Sequence, residues 1–311
     1  MPEQSHGASE RPARPHAAKA GESLDGTPVD PRPGTAHRGK AKLGVPMHDF
    51  SFSALDVVRP SEHVLLVTLN RPAAANAMNT ELGTALMTLF EALGLDAGDT
   101  RCVVLTGAGD RAFCAGADLK ERRGMTDEAW KRQHLVYERM VRAILACPLP
   151  IIAAVNGAAY AGGCELALAC DFIYASEQAR FALTEVTLGI IPGAGGTQTL
   201  ARAVGERRAK EIILTGTPFG AAEAERWGLV SRVLPPSDLV AAALATAETI
   251  ARNAPISVRQ AKQAIGRGLN MSLWDGLAME IEAYYRTIPT DDRREGIASF
   301  NEKRPPRFTG R

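Results

Sequence analysis

The stretch NGAAYAGGCELALACD (Asn156–Asp171) decides the fold reading of this chain. Small residues lead into a glycine pair, then comes one carboxylate, Glu165, then an apolar run with helical spacing. Upstream, PIIAAVNG (Pro150–Gly157) reads as a buried strand; downstream, DFIYAS (Asp171–Ser176) reads as another. A strand, a tight passage over Ala158–Gly163, a helix over Gly163–Cys170 and a further strand together predict an α/β fold. Glu165 falls in the first turn of that helix. A carboxylate there answers the positive end of the helix dipole, and this role alone would account for it. The same helix start also offers free N–H groups able to hold an anion or a developing oxyanion.

Working outward, the alternation continues. HVLLVTLN (His63–Asn70) reads as a strand stopped by Arg71-Pro72, and Asn79 opens a helix through about Leu95 with Glu81 in its first turn. CVVLTG (Cys102–Gly107) is a short buried-type strand. A polar helix runs from about Asp127 to Ala146, and Pro148 and Pro150 prevent its continuation. From Thr197 the pattern is mostly helical: GERRAKEIILTG, AAEAERWGLV, a long run from Asp238 to Arg267, then Ser272 to Thr287. No internal repeat at a fixed period is visible. Residues 1–48 are rich in Pro, Gly, Ala, Ser and charge and are expected to be a disordered tail. Interspersed acidic residues and the lack of an amphipathic period argue against a transit peptide. The expected organisation is a tail at 1–48, a core domain at 49–250 and a C-terminal helical region at 251–311.

The 311 residues, 45% of them hydrophobic, suffice for a substantial core. A net charge of +1 speaks against a general nucleic-acid or acidic-membrane binder. The five cysteines have no CxxC spacing, and their small or apolar neighbours suit buried, reduced thiols in a cytoplasmic protein. Without clustered histidines no metal site is expected. No apolar run reaches membrane-spanning length, and no apolar signal core opens the chain.

Two more stretches repeat the theme of small residues beside a carboxylate. RAFCAGADLKER (Arg111–Arg122) runs from an apolar piece into Ala115-Gly116-Ala117-Asp118, where Asp118 suits a helix N-cap. LTEVTLGIIPGAGGTQ (Leu183–Gln198) carries Glu185 among Thr, Val and Leu. Its PGAGGT lacks the Lys-Ser/Thr ending of a phosphate loop, so nucleoside triphosphate binding is rejected. Two small-residue loops and two carboxylates suit a reaction through an enolate: backbone N–H groups for the oxyanion, carboxylates for the protons.

RPAAANAM, FCAGADLKER, NGAAYAGGCELALACD and IIPGAGGTQ, in that order, resemble the signature segments of the enoyl-CoA hydratase/isomerase (crotonase) superfamily. The resemblance covers the chain from about Phe50 onward, and FNEKRPP (Phe300–Pro306) is similar to the methylglutaconyl-CoA hydratase branch. It implies a ββα spiral core, a helical C-terminal trimerisation region, and a homotrimer or dimer of trimers. It implies an acyl-CoA substrate, hydrated across its 2,3 double bond, with CoA as part of the substrate and no separate cofactor. Residue by residue, it implies Ala115 and Gly162 as oxyanion donors and Glu165 and Glu185 as the catalytic pair. Ala73, Ala75, Ala117, Asp118 and Leu119 fall where the family meets CoA; Phe300 and Lys303 fall where a neighbouring subunit meets the nucleotide. Ala161 departs from the pattern, standing where many members have a third glycine.

The competing reading within the family is an isomerase, which usually manages with one carboxylate near the Glu185 position. The competing reading of another class is an AU-rich RNA-binding hydratase. RNA binding in that branch goes with a Lys-rich helix, and NTELGTALMTLFEALGLDAGD (Asn79–Asp99) contains no Lys or Arg. Arg38–Lys42 in the tail is the one basic stretch left for such a role. A glutaconyl-type acyl group would carry a second carboxylate; Lys120, Arg122 and Arg123 are the candidate cations, and the sequence does not choose among them.

Overall fold

Residues 51–311 are described by the computed structural model; the tail at 1–48 and Arg38–Lys42 lie outside them. Strands β1 (Leu55–Ser61) and β2 (Val64–Leu69) form an antiparallel hairpin, and α1 (Thr80–Leu95) follows. Asn79 caps α1, its side chain accepting from the Leu82 N–H at 3.0 Å. The chain continues through β3 (Cys102–Gly107), β4 (Ala112–Cys114), the short α2 (Leu119–Arg122) and α3 (Asp127–Ala146). Then come β5 (Ile151–Val155), β6 (Ala158–Tyr160), α4 (Gly162–Leu168), β7 (Phe172–Ser176), β8 (Arg180–Ala182) and α5 (Gly196–Val204). The rest is α6 (Glu206–Thr215), β9 (Phe219–Gly220), α7 (Ala221–Arg226), β10 (Arg232–Leu234), α8 (Leu239–Ala251), α9 (Pro255–Gly268), α10 (Leu273–Tyr285) and α11 (Asp291–Asn301).

These strands make two sheets. One has the order β1-β2-β3-β5-β7-β10, the other β4-β6-β8-β9. Successive units therefore give one strand to each sheet before the helix: β3 then β4, β5 then β6, β7 then β8. The pairings between these units are parallel in both sheets. Strands β3 and β5 are buried along their whole length, as strands covered on both faces must be. One core fills the space between the sheets and helices α1, α3 and α4; a second lies where α8 covers β3 and β5. All five cysteines are free and buried.

Two expectations are corrected here. The passage over Ala158–Gly163 is not a bare connection, since Ala158–Tyr160 is strand β6 of the second sheet. The run from Asp238 to Arg267 is two helices, α8 and α9, because Pro255 has no N–H to continue α8 and instead opens α9. Lys262 ties α9 to the core, donating to the Leu149 carbonyl and to Asp171 Oδ2 at 2.7 Å each. Among the described residues no helix is long and apolar enough to cross a membrane.

Candidate active site

The loop after β4 is held by the chain after β2. Pro72–Ala74 form one turn of 3-10 helix, and Ala75 and Asn76 then take left-handed φ values of 52° and 54°. Asn suits that region. The buried Asn76 amide also closes the corner, donating to Ala108 O (2.9 Å) and Ala112 O (2.8 Å) and accepting from Arg71 N (3.0 Å). From this corner Ala75 to Met78 run beside Ala115 to Asp118. Ala115 N–H donates to Ala75 O at 3.1 Å, Met78 N–H to Gly116 O at 2.7 Å, and Asp118 N–H to Met78 O at 2.9 Å.

This geometry corrects one expected site residue. The Ala115 N–H is turned to Ala75 and is not free for an acyl oxygen. The N–H of Ala117, on the far side of its pairing with Met78, has no acceptor among the described residues. It lies beside the start of α4, where a Cβ built on Gly162 would stand 3.8 Å from Ala117 N. The Gly162 N–H, at the first position of α4, is likewise unpaired. The two adjacent free donors are therefore Ala117 and Gly162. A single residue's alternation along the loop decides which N–H points out, and no motif spacing encodes that choice.

Asp118 caps α2 through the N–H groups of Lys120 and Glu121, and its Oδ2 lies 3.0 Å from an Arg71 terminal nitrogen. Burial pushes the Asp118 carboxyl up, but Arg71 and the two capping N–H groups outweigh it and leave it below its ordinary value. Ala75, Ala117, Asp118 and Leu119 thus share one rim, with Ala73 exposed on the adjoining turn. Phe300, near the end of α11, and Lys303, just past it, are exposed, and no hydrogen bond of theirs reaches this rim.

Glu165 sits in the first turn of α4, 3% exposed. Its Oε1 accepts from the N–H groups of Ala194 and Gly196, each at 2.8 Å. Burial raises the Glu165 carboxyl, and those two N–H groups oppose the rise. The PGAGGT segment, which the sequence offered only as a rejected phosphate loop, is thus the cradle of this carboxylate. Glu185 opens a one-turn 3-10 helix (Glu185–Leu188) and is also buried, yet neither carboxyl oxygen has a hydrogen-bond partner among the described residues. Burial pushes Glu185 up to about 7, and the charge of neighbouring Glu165 adds to the rise. Two N–H donors favour the charged form of Glu165 against its burial, whereas burial favours the protonated form of Glu185: an arrangement suited to taking one proton and giving another.

Ala161, just before α4, has φ 48° and ψ −123°, a conformation that costs a residue with a Cβ on the order of 1–3 kcal/mol. The surroundings enforce it: its N–H donates to Ala182 O at 2.8 Å and its carbonyl accepts from Cys164 and Glu165. Ala161→Gly is expected to raise the melting temperature by about 2–6 °C in a thermal scan, with activity retained. An unchanged or lower value would show that the methyl contributes packing that offsets the strain.

Residues 59–311 match the model of the enoyl-CoA hydratase/isomerase family, and the chain belongs to that family. The crystal structure of an enoyl-CoA hydratase from Bacillus anthracis superposes with a TM-score of 0.81 at 46% identity, covering 83% of this chain and 100% of that one. The fold is accordingly that of the crotonases, with a helical C-terminal region. The 2,3-dehydroadipyl-CoA hydratase of Escherichia coli (strain K12) is 43% identical over 255 residues, 82% of this chain and 98% of its own. The short-chain-enoyl-CoA hydratase of Clostridium acetobutylicum is 42% identical over 241 residues, 78% of this chain and 92% of its own.

Proposed function

We propose that this chain adds water syn across the 2,3 double bond of a short or branched 2-enoyl-CoA thioester. The thioester oxygen sits between the N–H groups of Ala117 and Gly162, which take up negative charge as the enolate forms. Glu165 removes a proton from water as its oxygen attacks C3; Glu185, protonated, delivers a proton to C2. The observation that carries this reading is the contrast between the carboxylates: Glu165 bonded to two N–H groups, Glu185 buried with none. An isomerase needs only one of them. The branch similarity of FNEKRPP supports an acyl group of the size of 3-methylglutaconyl. The rim of Ala73, Ala75, Ala117, Asp118 and Leu119 supports the CoA path, with Phe300 and Lys303 reaching a neighbouring subunit's nucleotide. Leu269, Leu273 and Trp274, 81%, 73% and 79% exposed around the α9–α10 turn, support burial in a homotrimer or dimer of trimers. Buried free thiols support a reducing, cytoplasmic setting.

The test is loss of enoyl-thioester absorbance with crotonyl-CoA, followed across pH. Glu185 must hold its proton, so kcat/KM is expected to fall as pH rises through about 7. Glu165 must be ionised, so activity also falls on the acid side, at a pH above the usual glutamate value. The two limbs belong to the pair rather than to either residue. No hydration of crotonyl-CoA or of longer 2-enoyl-CoAs, or a profile with no alkaline limb, would sink the reading.

A further inference from the structure

The buried face of α3 is apolar at Met140, Val141 and Ile144 but also carries two polar side chains one turn apart, Gln133 and Tyr137, each 4% exposed. Buried polar groups are tolerated where they are bonded, and both of these are. Gln133 joins three elements. Its Nε2 donates to Glu121 Oε2 of α2 at 2.6 Å and to Thr80 Oγ1 at the start of α1 at 2.9 Å, and its Oε1 accepts from Arg122 Nε at 2.8 Å. The Glu121 carboxylate accepts in turn from the Thr80 N–H, at 3.0 Å to Oε2. Of the three cations after Asp118, Lys120 and Arg123 are exposed, whereas Arg122 is 8% exposed and closed in by this face, its guanidinium 4.1 Å over the Trp130 ring.

Tyr137 reaches further. It passes α1 at Gly83, where a built Cβ would fall 2.8 and 2.9 Å from two carbons of its ring, so a side chain there would push the ring aside. Its O–H donates to the Met78 carbonyl at 2.7 Å. The same carbonyl accepts from the Asp118 N–H at 2.9 Å, and the Met78 N–H donates to Gly116 O at 2.7 Å. These two Met78 bonds bracket Ala117, whose free N–H lies beside Gly162. Burial holds the Tyr137 phenol above its ordinary value, so its O–H remains a donor at neutral pH.

We propose that Tyr137 is a positioning residue for the oxyanion donor: its bond to Met78, with Gln133 holding α2 one turn away, fixes the direction of the Ala117 N–H. The inference rests on the hydratase site proposed above. The Gly116 and Asp118 bonds tie the donor loop only to Met78, itself part of a loop. The Tyr137 bond ties Met78 to α3, a helix of 20 residues, so the donor is referred to a rigid element. A misdirected N–H is felt most where the oxygen carries most charge, in the enolate, so its cost falls on kcat rather than on KM.

The test is Tyr137→Phe in the full-length protein, which removes the O–H and keeps the ring against Gly83 and Arg122. Crotonyl-CoA hydration is expected to lose about tenfold or more in kcat, with KM within about threefold of wild type. Difference infrared spectroscopy of bound butyryl-CoA, isotope-labelled at its thioester carbonyl, reads the oxyanion contact without turnover. Wild type is expected to lower the carbonyl stretch relative to the free thioester, and Tyr137→Phe to give back part of that shift. A role in stability alone would lower the melting temperature and leave kcat and the carbonyl stretch at wild-type values, and that result overturns the proposal. Should Tyr137→Phe not fold, Gln133→Met is read in the same two ways, and wild-type values again overturn it. A wild type that hydrates crotonyl-CoA, matched by its variants, sinks this proposal alone. A wild type that neither hydrates crotonyl-CoA nor shifts the carbonyl sinks the hydratase reading with it.

Discussion

Glu185→Gln is expected to lower hydration turnover by at least about two orders of magnitude, the usual scale of a positioned acid or base, and to leave the protein folded. Glutamine has the shape of the protonated acid but cannot release a proton to C2. The structure also gives the accompanying stability change. Glu185 is buried without partners and titrates near 7, above the ordinary glutamate value of 4.5. Its folded form therefore holds the proton more tightly than the unfolded chain does. Stability from this group is fully present below about 4.5 and is lost as pH rises through about 7. Above that pH the wild type carries an ionised carboxylate in an unfavourable place, whereas a neutral amide costs less to bury. The Glu185→Gln protein is thus expected to melt at or above the wild-type temperature at pH 8, with the advantage fading by pH 5. Thermal scans at both values, alongside the crotonyl-CoA assay, check it. Turnover within a few-fold of wild type, or a clear loss of stability at pH 8, would assign Glu185 to holding the fold. Glu165→Gln is expected to lose turnover to a similar extent, and the two N–H groups at its Oε1 can still bond the amide oxygen.

What the sequence made legible, and what it hid, has a physical pattern. The middle of the first sheet was readable because β2, β3, β5 and β7 are apolar runs of five or six residues between breakers, while its edge strands β1, with exposed and charged positions, and the three-residue β10 were not read. The second sheet was not: β4, β6 and β8 are three residues each and β9 two, too short for any period. They pair because the longer strands deliver them side by side, a tertiary effect. The two carboxylates stood out in the sequence by their neighbours, but their unequal surroundings did not, since Ala194 and Gly196 meet Glu165 only through the folded loop. The exchange of Ala115 for Ala117 has the same origin. Both alanines flank Gly116, and only the pairing with Ala75 and Met78 determines whose N–H is occupied. Asn76 was missed although its signal was present: an amide between a proline turn and a helix cap, suited to a left-handed corner.

The glycine pair at the head of α4 separates folding from chemistry within two adjacent residues. A Cβ built on Gly163 falls 1.9 Å from the Cys114 carbonyl oxygen and 2.7 Å from its carbon, both backbone atoms of β4. Neither α4 nor the strand can yield without breaking the packing between them. Gly163→Ala is expected to destabilise the protein by about 3 kcal/mol or more, at the upper end of overpacking effects, or to prevent soluble expression. A Cβ on Gly162 meets nothing nearer than Ala117 N at 3.8 Å, so Gly162→Ala is expected to fold with an unchanged melting temperature. Its methyl, however, stands beside the free Ala117 N–H, where the proposed mechanism puts the thioester oxygen. Turnover is expected to fall by about two orders of magnitude, the scale of removing one oxyanion donor. Thermal scans and the crotonyl-CoA assay on the two variants decide the matter together. A fully active Gly162→Ala protein would mean that no oxyanion forms at that spot; a stable Gly163→Ala protein would mean that α4 and β4 are not in the contact described.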